Sequence, residues 1–293
     1  MPEQARLNVD APLATTSRHN LLVAARVLEQ GDERFPLGGI AYNPHGYSGG
    51  HTFDPSCEGG PIDLEPGLEP TIAEWDPAAI YWGIRCEQPT PSDIAAARQR
   101  AEAALETHRS HLLEELLWTN QTAGTDLGAQ HPNVGLADAP ATILNGGTPL
   151  GIVPAIAALL EALATSLKGV RGTIHVPPQA LAYLDFYGNS VVVGNQIVTG
   201  SADHTYVAGS GYHHNTDPTG TPAPEGYAWF YATSQVEVRL GPVVVPDRGF
   251  IWTQNVVEVY AQQPVIVSWD RGAHYAVQVC LGDPGPECEP AAS

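Results

Sequence analysis

Basic side chains are scarce in this sequence. Its 293 residues include 13 lysines and arginines against 32 aspartates and glutamates, for a formal net charge of −19. The one lysine is Lys168, and no run of basic residues occurs. Proteins that read nucleic acid need clustered lysine and arginine to replace the counterions around phosphate. The composition therefore argues against sequence-specific DNA binding, whereas an acidic chain is suited to enclosing DNA without adhering to it, because like charges repel.

Cysteines and long apolar runs are also few. The four cysteines form no C-x-x-C pair, so no zinc ribbon is predicted. The longest apolar run, Leu150 to Leu160, is too short to span a bilayer, and the first residues show no secretion-signal pattern. We therefore expect synthesis in the cytoplasm, no membrane partner and reduced thiols. The alternative is a disulfide in either of two pairs, Cys57 with Cys86 and Cys280 with Cys288.

The sequence contains no clear motif for phosphate binding or for a serine hydrolase. The chain has no G-x-x-x-x-G-K-[ST], no G-x-G-x-x-G after a strand, and no serine elbow between a strand and a helix. Gly209-Ser210-Gly211 presents a serine, but the sequence identifies no general base for it. The adjacent carboxylates Glu114 and Glu115 are expected in solvent on an exposed helical face, because neighbours in sequence do not face each other on a helix.

Histidines and carboxylates occur together in two loops, and both are weak candidates for a metal site. Imidazole and carboxylate groups are metal ligands, but adjacent histidines rarely bind one ion from a single regular element. We expect solvated loops, no catalytic residue, no metal and no cofactor; a cytosolic metal-dependent hydrolase is the alternative. The first candidate group comprises His204, His213, His214 and Asp217, and the second comprises His45, His51 and Asp54.

The order of sequence patterns predicts an α+β chain. Residues 1–20 are expected to form an extended arm, and residues 36–91 a loop rich in glycine and proline with short strands. Ser92 is a suitable N-cap for a helix from Asp93 to Trp118, roughly 40 Å long at 1.5 Å per residue. The apolar stripe of this helix comprises Ile94, Ala97, Ala101, Leu105, His108, Leu112 and Leu116.

A second helix and a β-rich end follow. The helix is predicted from Ile152 to a stop at Gly169, with Pro154 near its start. Alternating patterns then predict strands, of which the last four are Trp229–Leu240, Val256–Tyr260, Val265–Trp269 and Tyr275–Leu281. The aromatic residues are expected mainly in the core; they are Trp229, Tyr231, Trp252, Tyr260, Trp269 and Tyr275. Hydrophobic residues make up 43% of the chain and charged residues only 15%, so much neutral surface remains for packing against other chains.

Four segments in the second half resemble the major capsid proteins of tailed phages that infect actinobacteria. They are GTIHVPPQAL (172–181), NQIVTGSADHTYVAGSGY (195–212), YATSQVEVRLGPVVV (231–245) and NVVEVYAQQPVIVSWDRGAHYAVQVCL (255–281). The resemblance lies in the order of these segments and covers roughly residues 150–281. It implies the HK97-like capsid fold, an α+β fold with an N-terminal arm, an extended loop, a long spine helix, and axial and peripheral domains.

The resemblance implies the following division of the chain. Residues 1–35 would form the arm and 36–88 the extended loop. Residues 89–148 and 242–293 would form the peripheral domain, with the spine helix at 93–118, and 149–241 the axial domain. Trp229–Leu240 would carry the chain out of the axial domain.

The function implied is a major capsid protein that assembles as hexamers and pentamers into an icosahedral phage head around double-stranded DNA. The shell would be a virion component built in the host cytoplasm, with scaffold, portal and cement proteins as possible partners. Some members of the fold crosslink a loop lysine to an asparagine, but residues 36–90 contain no lysine, so non-covalent contacts are expected. The expected intersubunit contacts in the loop are Tyr42, Tyr47, Phe53, Ile62 and Leu64. Alternatives are a head decoration or other virion protein, and an encapsulin-like compartment shell.

Overall fold

Two β-sheets and one long helix form the framework of the chain. The computed structural model describes residues 17–29, 38–42, 72–87, 90–119, 132–138, 141–200, 203–246, 250–251 and 256–281. The described helices are α1 (Leu21–Ala24), α2 (Pro91–Thr119), α3 (Ile152–Leu167) and α4 (Ala180–Phe186). Short 3-10 turns lie at Leu144–Gly147 and Ser210–His214. Among the described residues, no helix is both long and apolar enough to cross a membrane.

The strands are numbered in chain order. They are β1 (Arg26–Glu29), β2 (Ile40–Tyr42), β3 (Ala73–Trp75), β4 (Ala78–Glu87), β5 (Thr142–Ile143), β6 (Leu150–Gly151), β7 (Gly172–His175), β8 (Ser190–Val193), β9 (Gln196–Thr199), β10 (Thr205–Val207), β11 (Tyr227–Ser234), β12 (Glu237–Leu240), β13 (Phe250–Ile251), β14 (Val256–Ser268) and β15 (His274–Cys280). The predicted α+β class is therefore confirmed.

The long helix predicted from Asp93 to Trp118 is confirmed as α2, which begins two residues earlier. Thr90, rather than the predicted Ser92, caps it. The Thr90 backbone N–H donates to the Asp93 carboxylate at 2.8 Å, and the Thr90 hydroxyl accepts from the Asp93 N–H at 3.4 Å. This reciprocal arrangement satisfies donors that a helix start leaves unpaired. Pro91 takes the first helical position, where the missing N–H removes no helical hydrogen bond.

The buried stripe of α2 follows the prediction over its first half and then shifts by one position. Three of the predicted residues, Ala97, Ala101 and Leu105, are fully buried. The predicted Leu112 and Leu116 are only half-buried, and His108 is exposed. The second half of α2 is also covered by the turn at 210–214, so more of its circumference is enclosed. Its buried residues are Ser110, Leu113, Glu114, Leu117 and Trp118.

The second predicted helix is confirmed as α3. Pro154 is its third residue, within the first turn, where the backbone nitrogen has no helical acceptor and a proline is tolerated. At the other end Lys168 adopts a left-handed conformation with φ of 48°, and its N–H donates to the Ala164 carbonyl. Gly169 follows with φ of 93°, which glycine adopts without steric cost.

The first sheet has the order β1-β12-β14-β13, with β4 also paired to β14. The sequence predicts only short strands between 36 and 91, and this is wrong for β4. All ten of its residues pair antiparallel with β14, from Ala78 opposite Val265 to Glu87 opposite Val256. One face of this long pair packs on α2, so the inward residues of both strands and the stripe of α2 share one hydrophobic core.

The second sheet has the order β5-β15-β11-β7-β10-β9-β8, with β6 also paired to β15. Helix α3 packs against β15, β11 and β7. Its apolar face, which includes Leu159 and Leu163, forms a second hydrophobic core with the inward residues of these strands. The chain therefore has two cores, one centred on α2 and the other on α3.

The single strand predicted over Trp229–Leu240 is two strands in two different sheets. The first, β11, lies in the eight-stranded sheet, and the second, β12, lies in the five-stranded sheet. The break falls at Gln235, which is exposed between residues that are buried. Beside it the chain also crosses from β14 to β15, and Ser234 joins the two crossings: its hydroxyl donates to the Asp270 carbonyl at 3.1 Å and accepts from the Asp270 N–H at 2.8 Å.

The two predicted strands Val256–Tyr260 and Val265–Trp269 are one continuous strand, β14, with Pro264 inside it. A proline removes one donor from a sheet ladder. The Gly241 N–H donates to the Pro264 carbonyl at 2.8 Å, but Pro264 has no N–H to return to the Gly241 carbonyl. The buried side chain of Gln263 replaces it, because its amide nitrogen donates to that carbonyl at 2.7 Å. Strand continuity through the proline therefore depends on Gln263.

We predict that Gln263→Met lowers the free energy of unfolding by about 1–3 kcal/mol, the usual cost of leaving a buried carbonyl without a donor. Methionine keeps the volume and removes the donor. Thermal or denaturant unfolding of the purified protein measures the change. The matched control is Gln262→Met at the half-buried neighbouring position, for which we expect a change within about 0.5 kcal/mol. Equal losses in the two variants would show that the Gln263 hydrogen bond has no special role.

Candidate functional site

Three segments of the chain meet at the carboxylate of Glu114, which is completely buried in the second half of α2. The Leu21 N–H, at the start of α1, donates to Oε1 at 2.9 Å, and the Ser110 hydroxyl donates to the same oxygen at 3.0 Å. The Gly211 N–H donates to Oε2 at 3.0 Å, with the Ser210 hydroxyl 3.5 Å from that oxygen. We call this arrangement the Glu114 junction; it holds α1 and the turn at 210–214 against α2.

The glycines of the Gly209-Ser210-Gly211 segment make this approach possible. A Cβ atom at Gly211 would lie 2.5 Å from the Glu115 backbone nitrogen and 2.6 Å from the His111 carbonyl oxygen. A Cβ at Gly209 would overlap the carboxyl group of Glu114. Such separations are far below van der Waals contact, so a side chain at either position would force the turn away from α2.

Burial dominates the electrostatics of the junction and raises the pKa of Glu114 above its ordinary value. Hydrogen bonds from Gly211, Leu21 and Ser110 act in the opposite direction, because they favour the ionised form. The raised pKa means that the folded chain binds this proton more tightly than the unfolded chain does. The contribution of Glu114 to stability is therefore fully present below its unfolded pKa and is lost as pH rises through the folded pKa.

A continuous column of aromatic and imidazole rings runs from β3 to the Glu114 junction. Consecutive ring centroids lie between 4.8 and 6.4 Å apart. In order, the rings are Trp75, Trp269, His274, Tyr231, Trp118, Tyr212 and His175. The rings come from β3, from Trp269 just after β14, from three strands of the eight-stranded sheet, from α2 and from the turn at 210–214, so the column joins these elements. Among the aromatic residues predicted for the core, Trp269 and Tyr231 are confirmed as fully buried, whereas Trp252 lies outside the described residues.

His175, the last ring of the column, is uncharged. His175 is completely buried, and burial lowers its pKa to about 3. Its ring nitrogens lie 2.9 Å from the Tyr212 hydroxyl and 3.1 Å from the Thr233 hydroxyl. A neutral imidazole donates with one nitrogen and accepts with the other, so His175 links β7 to β11 and to the turn without placing a charge in the core.

Ser210 has a histidine neighbour, yet its surroundings disfavour nucleophilic catalysis. Its hydroxyl lies 3.1 Å from Nδ1 of His111, and Nε2 of His111 lies 3.4 Å from Glu115. The nearby Gly211 N–H, a group of the kind that stabilises a reaction oxyanion, already donates to Glu114. A carboxylate at that position would repel the negative charge that acyl transfer develops. The geometry assigns Ser210 to the junction.

The candidate metal ligands make other contacts. Nδ1 of the buried His204 accepts from the Gly172 N–H at 2.8 Å, and burial lowers the pKa of His204. The Asp217 carboxylate accepts from the N–H groups of Thr219 and Thr221, each at 2.8 Å, and thereby shapes its own turn. No group of three or more histidine, cysteine or carboxylate side chains in the described part of the chain is arranged to hold a metal.

Several other predicted residues fall outside the described part of the chain. They are His45, His51 and Asp54, together with the side chain of His214. Cys86 and Cys280 are half-buried, but their possible partners Cys57 and Cys288 lie outside. His213 is described, and its ring stacks on that of His111 with centroids 5.9 Å apart.

Of the five predicted intersubunit contacts, Tyr42 is described, while Tyr47, Phe53, Ile62 and Leu64 lie outside the described residues. Tyr42 is half-buried, and its hydroxyl donates to the Trp269 carbonyl at 2.8 Å. Burial raises its pKa. Within the subunit this hydrogen bond anchors β2, and the intersubunit role of all five residues stays a prediction.

Strands β2 and β3, which precede and follow residues 43–72 in the sequence, form a two-stranded antiparallel ribbon. Strand β2 pairs with β3, with Ile40 opposite Trp75 and Tyr42 opposite Ala73. Trp75 fixes the ribbon to the core, since its ring packs on Trp269 and the Arg271 guanidinium covers it at 4.8 Å. The two ends of the loop region are thus held together at a rigid base.

An open cavity of about 380 Å³ lies beside this base. Glu237 lies in its wall and is shared by two arginines, with Arg239 at 2.5 Å and Arg26 at 3.5 Å. Asp270 also lines the wall, so the two positive charges face two negative ones. The cavity therefore has no excess positive charge for binding an anion.

Glu114 is the residue that sequence reasoning misplaces. The pair Glu114-Glu115 is predicted to lie in solvent, and this is wrong for Glu114, although Glu115 is partly exposed. The available signal is weak. Glu114 follows Leu113 and lies four residues after Ser110, on the side of α2 that continues the buried stripe. Elsewhere in the sequence, Gly209 and Gly211 indicate that the backbone approaches another segment closely. Nothing in the sequence indicates that these features meet.

We predict that Glu114→Gln lowers the free energy of unfolding by about 1–3 kcal/mol. Each carboxylate oxygen accepts from a backbone N–H, so an amide NH₂ would face a backbone donor in either orientation of the side chain. The matched control is Glu115→Gln, which removes a carboxylate one residue away at a partly exposed position. We expect the control to change stability by less than about 0.5 kcal/mol. Equal effects in the two variants would contradict the junction.

The same pair of variants tests the raised pKa of Glu114. The stability difference between wild type and Glu114→Gln is expected to be largest below pH 4.5, the ordinary value, and to shrink as pH rises through the folded pKa. Chemical denaturation of both proteins across a pH series measures this difference. A difference that grows with rising pH would mean that the pKa is lowered in the folded chain.

No protein-family profile and no curated protein match this chain. Solved structures match it along almost its whole length at low sequence identity. A chain of Gordonia phage Cozz is 14% identical with a TM-score of 0.52, covering 95% of this chain and 92% of the other. The capsid of an empty GTA particle is 12% identical with a TM-score of 0.53, covering 96% and 95%. The SrpI encapsulin of Synechococcus elongatus is 12% identical with a TM-score of 0.50, covering 96% and 93%.

These similarities concern the arrangement of the elements rather than the sequence. At such identities they establish the fold and leave the function to be inferred. The matches extend over 95–96% of this chain. The chain has the α+β HK97-like capsid fold.

Proposed function

We propose that this chain is a major capsid subunit that assembles as hexamers and pentamers into an icosahedral phage head around double-stranded DNA. The observation that carries the proposal is full-length coverage: the fold matches the GTA capsid chain over 96% of this chain and 95% of that one. When two chains share a fold and neither has many additional residues, a shared role is favoured over a different activity gained by one of them. Hosts among the actinobacteria are proposed from the sequence resemblance together with the Gordonia phage match.

The proposed roles of the segments follow the division made from the sequence. Residues 1–35 serve as the arm, 36–88 as the extended loop, 89–148 and 242–293 as the peripheral domain, and 149–241 as the axial domain. The two cores described above support a division into two compact parts. The crossing at Gln235 supports a passage between them earlier than the proposed boundary at 241, because β12 already lies in the sheet that packs on α2.

The acidic composition fits the proposed role of a container. A net charge of −19 gives the inner surface little attraction for DNA, so the packaged molecule would stay mobile. The same charge makes subunits repel one another, and assembly must overcome this repulsion through apolar contacts and partner proteins. Scaffold, portal and cement proteins are the proposed partners, the role is structural rather than enzymatic, and the assembled location is the virion.

We predict that the purified chain forms shells, or free rings of five or six copies, and that added salt promotes their formation. Raising ionic strength from about 0.01 to 1 M shortens the screening length from about 30 to 3 Å, which weakens repulsion between acidic copies. Light scattering across the salt series, with electron microscopy of the same samples, measures this. A monodisperse monomer at every salt and protein concentration, both alone and with scaffold protein from the same source, would overturn the proposal.

Loop contacts are tested by changing Phe53 and Leu64 together to serine. Burial of each side chain on a neighbouring subunit would stabilise the contact by about 1.5–3 kcal/mol, so the double change is expected to reduce assembly and the thermal stability of any shell. The matched control changes Val153 and Val244 to serine, since both are apolar and nearly half exposed, at 47% and 45%. Unchanged assembly in the loop variant would remove these residues from the interface.

A compartment shell of a bacterial host is the second candidate, because the encapsulin match has comparable coverage. The contents of particles purified from the native source separate the two functions. Double-stranded DNA inside the shell supports the phage head, and an enclosed protein cargo without DNA supports the compartment.

A further inference from the structure

Strand β8 is an exposed edge of the eight-stranded sheet. Among the described strands it pairs with β9 alone, and it ends the strand order of its sheet. In an antiparallel pair every second residue turns its N–H and C=O away from the partner, so β8 offers backbone donors and acceptors to its outer side. Its three valines are also exposed: Val191 by 46%, Val192 by 59% and Val193 by 56%.

Although β8 is only four residues long, its edge lacks the lysine, proline, charged side chains and bulges that commonly prevent a strand from pairing with another chain. Proteins protect such edges with lysine, proline, charged side chains or bulges. Residues 186–202, with the sequence FYGNSVVVGNQIVTGSA, contain no charged residue and no proline. The four pairs of β8 and β9 run without a bulge from Ser190 opposite Thr199 to Val193 opposite Gln196.

The hairpin is held in one place, so its edge is already formed for binding. Gly194 turns the chain with φ of 62°, as the first residue of a tight two-residue hairpin turn requires. On the inner strand, Ile197 and Val198 are buried in the subunit. The Gln196 side-chain amide donates to the Val23 carbonyl at 3.0 Å, and the Ser190 hydroxyl donates to the Asp185 carboxylate.

The distribution of charge along the chain indicates which kind of partner covers the β8 edge. Two copies of a chain with a net charge of −19 repel each other wherever their acidic surfaces meet. A stretch of 17 residues without charge, bearing exposed valines and backbone groups that no described strand pairs with, allows a second copy to approach without that cost. We propose that β8 pairs through its backbone with a neighbouring copy of this chain, extending the eight-stranded sheet across the subunit boundary within a ring. The proposal rests on the shell function proposed above and names one of its interfaces.

The test compares three variants in the assembly conditions used for wild type. Val192→Asp places a negative charge at the edge and is expected to reduce the assembled fraction at least about tenfold, because the charge would be buried between acidic copies. Val192→Thr keeps a β-branched neutral side chain and should assemble as wild type does. The matched control is Val153→Asp, which adds the same charge at a valine of similar exposure on α3. Thermal unfolding of each variant confirms that the subunit folds.

A second measurement reads the backbone directly. Hydrogen exchange of the amides of residues 190–193 is compared between assembled and dissociated wild-type protein, and assembly is expected to slow the outward amides at least about tenfold. Wild type that never assembles, either alone or with scaffold protein from the same source, overturns the shell function, and this interface with it. If wild type assembles and Val192→Asp assembles equally well, only the β8 interface is overturned. The same holds if wild type assembles and the outward amides stay unprotected. The edge would then be exposed to solvent or covered by another protein.

Discussion

The structure depends on satisfying one buried carboxylate. Glu114 lies inside the subunit without an arginine or lysine partner among its hydrogen bonds, and burying such a group is costly unless donors surround it. Two backbone N–H groups and two hydroxyls supply those donors from α1, α2 and the turn at 210–214. Because these segments are far apart in sequence, the carboxylate specifies where the amino-terminal segment and the glycine turn lie on the long helix. Hydrophobic burial alone is non-directional and would allow more than one placement.

From this junction the ring column extends to Trp75, which holds the β2–β3 ribbon. The two sheets are connected beside Trp269 by two neighbouring crossings, β11 to β12 and β14 to β15, joined by Ser234 and Asp270. Densely packed interiors have low compressibility and transmit strain, so the packed rings hold these elements at fixed distances from one another. The ribbon base, the crossings and the junction thus form one rigid framework, which would suit the proposed shell role, because a shell subunit presents its surfaces in a fixed geometry to many copies.

The surface complements this framework. The interior is completed within one chain by two cores, while strong acidity keeps separate copies apart. In the proposed shell, contacts between copies would form at neutral and apolar places, such as the β8 edge and the residues proposed as loop contacts. When attractive contacts are confined to a few neutral regions and the rest of the surface repels other copies, specific pairing is favoured over general aggregation. The exposed valines of β8, which would be a liability in a monomer, are consistent with a chain whose working state is an assembly.

The sequence by itself determined the α+β class, the extent of α2 and α3, and the absence of a basic surface, because these follow from local periodicity, capping and charge. The order of the late motifs also led to the HK97-like fold that the structural comparisons support. Tertiary structure decided the rest. Trp229–Leu240 contains no glycine or proline and is predicted as one strand, yet it divides at Gln235 because its two halves lie in different sheets. Glu114 has the same local pattern as Glu115, and only the arrival of Leu21 and Gly211 distinguishes the buried carboxylate from the exposed one. Long-range partners of this kind leave no periodic signal, since the residues that meet are about a hundred positions apart.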